Sequence, residues 1–154
     1  MHRICRRTSP SSFRNSPTVR CATWSSAGYA VGYHDRPRTT KDLDILLDSS
    51  AENIQRVSAA VTRFGAPTSV VSDVISASSD EIVWMGNPPL RVDFLKTAPA
   101  VDFAEAWSRR VMDDWSGTQV QVIGLDDLIE AKRAAGRPQD LVDLRNLERA
   151  RFAR

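Results

Sequence analysis

From residue 42 onward, apolar positions recur with two distinct periods. Leu43, Ile45 and Leu47 alternate with Asp42 and Asp44, which predicts a strand with one apolar face. Ser49 and Glu52 have capping-box spacing, and Ile54, Val57, Ala60, Val61 and Phe64 recur at helical intervals. Gly65 and Pro67 then follow in the order that ends a helix. Two strand-like runs, 81–85 and 90–95, flank Gly86-Asn87-Pro88-Pro89 and predict an antiparallel hairpin. Asp102 with Glu105 is placed to cap a helix running through Phe103, Ala106, Trp107 and Val111. A short strand over 119–123 comes next, then a helix over 125–135 and a break at Gly136-Arg137-Pro138. The last helix runs from Gln139 to about Phe152, with Pro138 suited to its first turn.

These elements predict an α/β (α+β) fold: a mixed, partly antiparallel sheet flanked by helices, with further helices at the C-terminal end. No internal repeat is visible. At 154 residues the chain fits one domain with a sizeable core.

Charge changes the picture at the front. The chain carries 21 Lys+Arg against 19 Asp+Glu, a net of +2. No acidic residue precedes Asp35, so residues 1–34 hold Arg3, Arg6, Arg7, Arg14 and Arg20 and a charge of +5. The remaining 16 basic and all 19 acidic residues give 35–154 a charge of −3. Residues 1–24 are expected to form a basic extension, disordered or foreign to the fold, before a domain over 25–154. That domain divides into a core at 25–124 and C-terminal helices at 125–154. An Arg/Ser-rich, acid-poor front also fits a transit peptide or a nucleic-acid arm, although its only aromatics are Phe13 and Trp24. It lacks the apolar h-region of a signal peptide.

Other classes fall away. No apolar run approaches the roughly 18 residues of a membrane span. The only cysteines are Cys5 and Cys21, which disfavours a disulfide framework or a cysteine zinc site. A cytoplasmic location without membrane attachment is expected.

Asp42 and Asp44 are the sharpest chemical feature. Residues two apart on a strand share a face, with Cα atoms roughly 6.6 Å apart. Two carboxylates so placed can converge on a pair of divalent cations, as in-line phosphoryl transfer requires. Hard oxygen ligands suit Mg²⁺ or Mn²⁺. An ordinary solvent face with alternating acids explains the same spacing. Asp93 shifts the balance, because it too is an acid on the polar side of an apolar strand, opposite Val92 and Phe94. If the two strands are neighbours, three carboxylates cluster and repel one another unless a cation intervenes. The plainer alternative pairs Asp93 with Arg91. Gly28 lies ahead of the acids, where a glycine turn lets backbone N–H groups approach phosphate; an ordinary turn is the alternative.

In this order the segments Ala27-Gly28-Tyr29-Ala30-Val31, Arg36-Pro37-Arg38-Thr39-Thr40-Lys41-Asp42-Leu43-Asp44-Ile45 and Leu90-Arg91-Val92-Asp93-Phe94-Leu95 resemble the DNA polymerase β-like nucleotidyltransferase superfamily. The chain looks most like its small bacterial members of the abortive-infection (AbiEii-type) toxin group. The stretches 124–132 and 137–144 extend the resemblance, which covers about residues 27–148. It implies a sheet of nucleotidyltransferase type, with Asp42, Asp44 and Asp93 as metal-binding catalytic carboxylates. It also implies nucleotide contacts from Gly28, Tyr29, Lys41, Lys132 and Asp140. Asp143 shares a helix face with Asp140; one of the two would meet the site and the other pair with Arg137. Taken without the resemblance, Lys132 and Arg133 would lie on a solvated helix face. Two features depart from the family pattern. Its turn is usually Gly-Gly or Gly-Ser, and residues 15–27 lack the hydrophobic strand that normally leads into it.

The expected activity is metal-dependent transfer of a nucleoside monophosphate from an NTP to a hydroxyl of RNA, protein or a small molecule. The toxin-like relatives imply a cognate antitoxin as partner. The alternative is a catalytically inert domain of the same fold that binds nucleotide or protein.

Overall fold

The computed structural model of the chain describes residues 21–23, 29–35 and 42–153. Strand β1 (Cys21–Thr23) precedes helix α1 (Tyr29–His34), strand β2 (Asp42–Leu47) and helices α2 (Ala51–Phe64) and α3 (Thr68–Ser76). Then come β3 (Val83–Asn87), β4 (Leu90–Leu95), α4 (Phe103–Ser108), β5 (Val111–Asp114) and β6 (Gln119–Val122). Helices α5 (Leu125–Ala135) and α6 (Pro138–Phe152) follow. The fold is mixed α/β with C-terminal helices, as the residue pattern predicts.

The strands form one mixed sheet in the order β3-β4-β2-β1-β6-β5. β2 is parallel to β4 and β1 to β6, whereas the β1/β2, β3/β4 and β5/β6 pairs are antiparallel. Side chains alternate across a strand, and β2 uses both faces. Ile45 and Leu47 pack with Ile54, Val57 and Val61 of α2, Val74 of α3, and Val83 and Phe94 of the hairpin. Leu46 points the other way, into a second core with Ala30, Val31, Ile123, Leu128, Ile129 and Leu147 beneath α1, α5 and α6. Each buried Val, Leu or Ile contributes about 1.5–3 kcal/mol, so two cores fix the register of β2. Asp42 and Asp44 consequently lie on the Leu46 side, at the start of the strand.

Local signals hold at several points. Asp102 accepts a hydrogen bond from the Glu105 backbone N–H at 2.9 Å and caps α4. Gly65 ends α2 at φ 92°, where a side chain would be strained. Gly86 is required by close approach as well as by φ 90°, since a Cβ there would stand 2.4 Å from the Leu90 carbonyl oxygen. Three expectations need correction. Ser49 and Glu52 form no capping box: α2 starts at Ala51, and the Asp48 carboxylate instead accepts the Ser50 N–H at 2.9 Å. Val111 belongs to β5, because pairing with Val122 holds it extended where the helical pattern alone would continue. Cys21–Thr23 form a central strand inside the stretch read as an extension, held by β2 on one side and β6 on the other. The rest of that extension, with Gly28 and Lys41, lies outside the described residues.

Candidate active site

The parallel β2/β4 ladder sets Asp44 opposite Asp93 and Asp42 opposite Arg91. Partners across a ladder share a face, with strands about 4.8 Å apart. Asp42, Asp44, Arg91 and Asp93 thus form one polar square at the start of the two strands, while Leu46 and Leu95 continue the same face into the core under the helices. The sequence supplies the alternation within each strand; the parallel pairing supplies the square.

Arg91 stands among the carboxylates. Its Nη2 donates to Asp93 Oδ2 at 2.8 Å, its Nε lies 2.8 Å from Asp93 Oδ1, and Nη2 is 3.5 Å from Asp42 Oδ2. Asp44 and Asp93 are buried, whereas Asp42 and Arg91 are partly exposed. Burial pushes the Asp93 carboxyl above its usual range. Arg91 opposes that shift, and repulsion from Asp44 and Asp42 adds to it. The same bond to Asp93 raises the Arg91 guanidinium.

The residues fit a hard divalent cation by donor chemistry. Three carboxylates share one face, and the buried Asp93 Oδ1 accepts no well-aligned hydrogen bond. Among the described residues no three His, Cys, Asp or Glu side chains are gathered closely enough to hold an ion as they stand. The guanidinium is bonded to Asp93 and lies 3.5 Å from Asp42, so a cation taking those oxygens would displace it.

Other expected site residues lie elsewhere. Tyr29 begins α1 and is 42% exposed, its ring 4.8 Å from that of Trp115. Lys132, expected to face a nucleotide or else solvent, is buried in the α5/α6 hairpin. Its Nζ is 2.8 Å from Asp140 Oδ1 and 3.1 Å from Asp143 Oδ2, each side chain only 2% exposed. The α6 start brings both acids onto one face, and their charge turns the lysine inward. Arg137 adds a 2.6 Å bond from Nε to Asp140 Oδ2, and Gln139 donates to Asp143 Oδ1 at 3.2 Å. Burial pushes the Asp140 carboxyl up, but the bonds from Arg137 and Lys132 outweigh it and leave its pKa below the usual value.

In the sequence Arg91 stands out only as an alternative partner for Asp93, and no pattern singles out His34 or Trp84. Arg91 was findable from its two-residue offset before Asp93. The buried His34 Nε2 donates to the Ile123 carbonyl at 2.7 Å and ties the end of α1 to the end of β6, a contact without any local signal. Among the described residues, no helix is long and apolar enough to cross a membrane. No protein-family model matches the chain, and no curated protein matches it either.

Proposed function

We propose that the chain is a metal-dependent nucleotidyltransferase that moves a nucleoside monophosphate from an NTP to a hydroxyl acceptor. The observation that supports this most is the register of two parallel strands, which puts Asp44 beside Asp93 with Asp42 on the same face. Mg²⁺ or Mn²⁺ held by these three carboxylates would supply activation of the acceptor hydroxyl and neutralisation of the triphosphate. The protein's own contribution is positioning and electrostatics. The two apolar cores fix β2, and burial limits water around Asp44 and Asp93. Once a cation replaces it, the Arg91 guanidinium is free to pair with phosphate, its planar fork being suited to that role. Lys132 and Asp140 act from a distance in this proposal, by holding α5 against α6. The acceptor class is an RNA end, a protein hydroxyl or a small molecule, and an antitoxin protein is the proposed partner. A cytoplasmic site of action belongs to the same proposal.

A second reading is an inert domain of this type that binds nucleotide or protein. Arg91 lodged among the carboxylates and Lys132 turned inward favour it. Incubation with each labelled NTP, Mn²⁺ or Mg²⁺ and total RNA or lysate separates the two. Label transfer that disappears in Asp42→Ala and Asp44→Ala supports the enzyme. A folded protein that binds nucleotide without any transfer supports the inert domain.

A further inference from the structure

The carboxylate face extends one strand further, to the edge of the sheet. On β3, Trp84 is the register partner of Asp93 and Gly86 is the partner of Arg91. Val83 and Met85 turn to the opposite face, into the core with α2 and α3. Trp84 therefore stands on the same side as the polar square, and Ile82 lies just ahead of the strand. Both are open to water, Trp84 at 62% and Ile82 at 49% exposure. Among the described residues, no ring stacking or cation–π contact involves Trp84; those contacts engage Trp107 and Trp115.

The fold gives this indole little to rest on. Its cross-strand partner is a carboxylate already bound to Arg91, and the next position on its own face is a glycine. With strands about 4.8 Å apart, Trp84 stands one spacing from Asp93 and about 10 Å from Asp44. A nucleotide whose phosphates meet the carboxylates carries its base on that length scale, one ribose away. An exposed aromatic face stacks any base without needing hydrogen-bond readout.

We infer that Trp84 is a stacking platform for a nucleobase at the edge of the carboxylate face. The inference rests on the nucleotidyltransferase reading and adds to it a group that holds the base. That base belongs either to the NTP or to the last nucleotide of an RNA acceptor, and the same variants distinguish the two.

The test measures binding to the full chain by calorimetry, using NTP with Mn²⁺ in one arm and a short single-stranded oligoribonucleotide without triphosphate in the other. Trp84→Ala is expected to weaken one of them about 5- to 150-fold, the span that corresponds to loss of one stacked base. Trp84→Phe, which keeps a ring, is expected to restore most of the affinity, and the arm that responds identifies the source of the base. If Asp44→Asn abolishes NTP binding while Trp84→Ala leaves both affinities unchanged, the platform is overturned and the nucleotidyltransferase reading stands. A wild-type protein that binds neither ligand overturns both. A dimer that dissociates in Trp84→Ala, with ligand affinities intact, also overturns the platform and assigns the indole to contact between copies.

Discussion

Asp93 in the sheet and Asp140 in the helical hairpin are both buried, and each is bonded to an arginine, yet they shift in opposite directions. Asp93 sits above the usual carboxylate range and Asp140 below it. Burial raises both. The difference lies in the company: Asp140 receives Lys132 as well as Arg137, whereas Asp93 shares Arg91 with Asp42 and faces the like charge of Asp44. The helical cluster has cations enough to be a finished structural element. The sheet cluster instead sets three acids on one face around Arg91, with Asp44 directly beside Asp93.

The largest expected effect comes from the finished cluster. Lys132→Met takes from the buried Asp140 and Asp143 the lysine they share and should cost about 3–5 kcal/mol in urea denaturation. Arg91→Leu should cost clearly less, because Arg91 and Asp42 are partly exposed and Asp93 can take up a proton. Equal losses at the two sites would erase the contrast.

Next in size is the response to metal. Mn²⁺ at about a hundredfold excess over its dissociation constant should stabilise the wild type by about 2.7 kcal/mol. Asp44→Asn should abolish that gain, and Arg91→Leu should enlarge it, since the competing guanidinium is gone. Thermal melts with and without Mn²⁺ check both. An unchanged gain in Asp44→Asn would remove the carboxylates from metal binding.

Acid should separate the clusters again. Because the folded-state pKa of Asp140 is depressed, its contribution is present above the ordinary aspartate value and is lost as pH falls through the lower one. Asp140→Asn should therefore flatten the acid limb of the stability curve. Asp93 carries the opposite sign: its ionisation costs stability as pH rises from the ordinary value through the raised one. Asp93→Asn should remove that decline in metal-free protein, as denaturation across the acidic range would show.

The smallest effect lies outside both clusters. Asp102→Ala removes the cap of α4 and should cost about 1 kcal/mol by urea denaturation, with the Mn²⁺ response unaltered.

Much of the fold was legible where one short segment carries its own signal. The alternation of 42–47, the Gly/Pro-marked hairpin, the Asp102 cap and the two C-terminal helices are local patterns, and the structure shows each. Val111 was misread because a helical period and an edge strand cannot be told apart over four residues without the partner strand. β1 has no strand pattern in Cys21–Thr23 and is defined by the backbones on either side. Lys132 reads as exposed in a charged helix until Asp140 and Asp143 are brought against it from the next one.

By itself the sequence determined which side of each strand is polar, and hence that Asp42 and Asp44 share a face and that Asp93 stands opposite Val92 and Phe94. Side-chain direction repeats every two residues along a strand, so neighbours in the chain suffice for that. Only the tertiary structure decided that β2 and β4 are adjacent, parallel and in the register that places Asp44 against Asp93, with Arg91 among the acids and Trp84 at their edge. That register is set by contacts far apart in the chain. Ile45, Leu47, Val83 and Phe94 fill one core with α2 and α3, and a slip of one residue would turn the carboxylates into it.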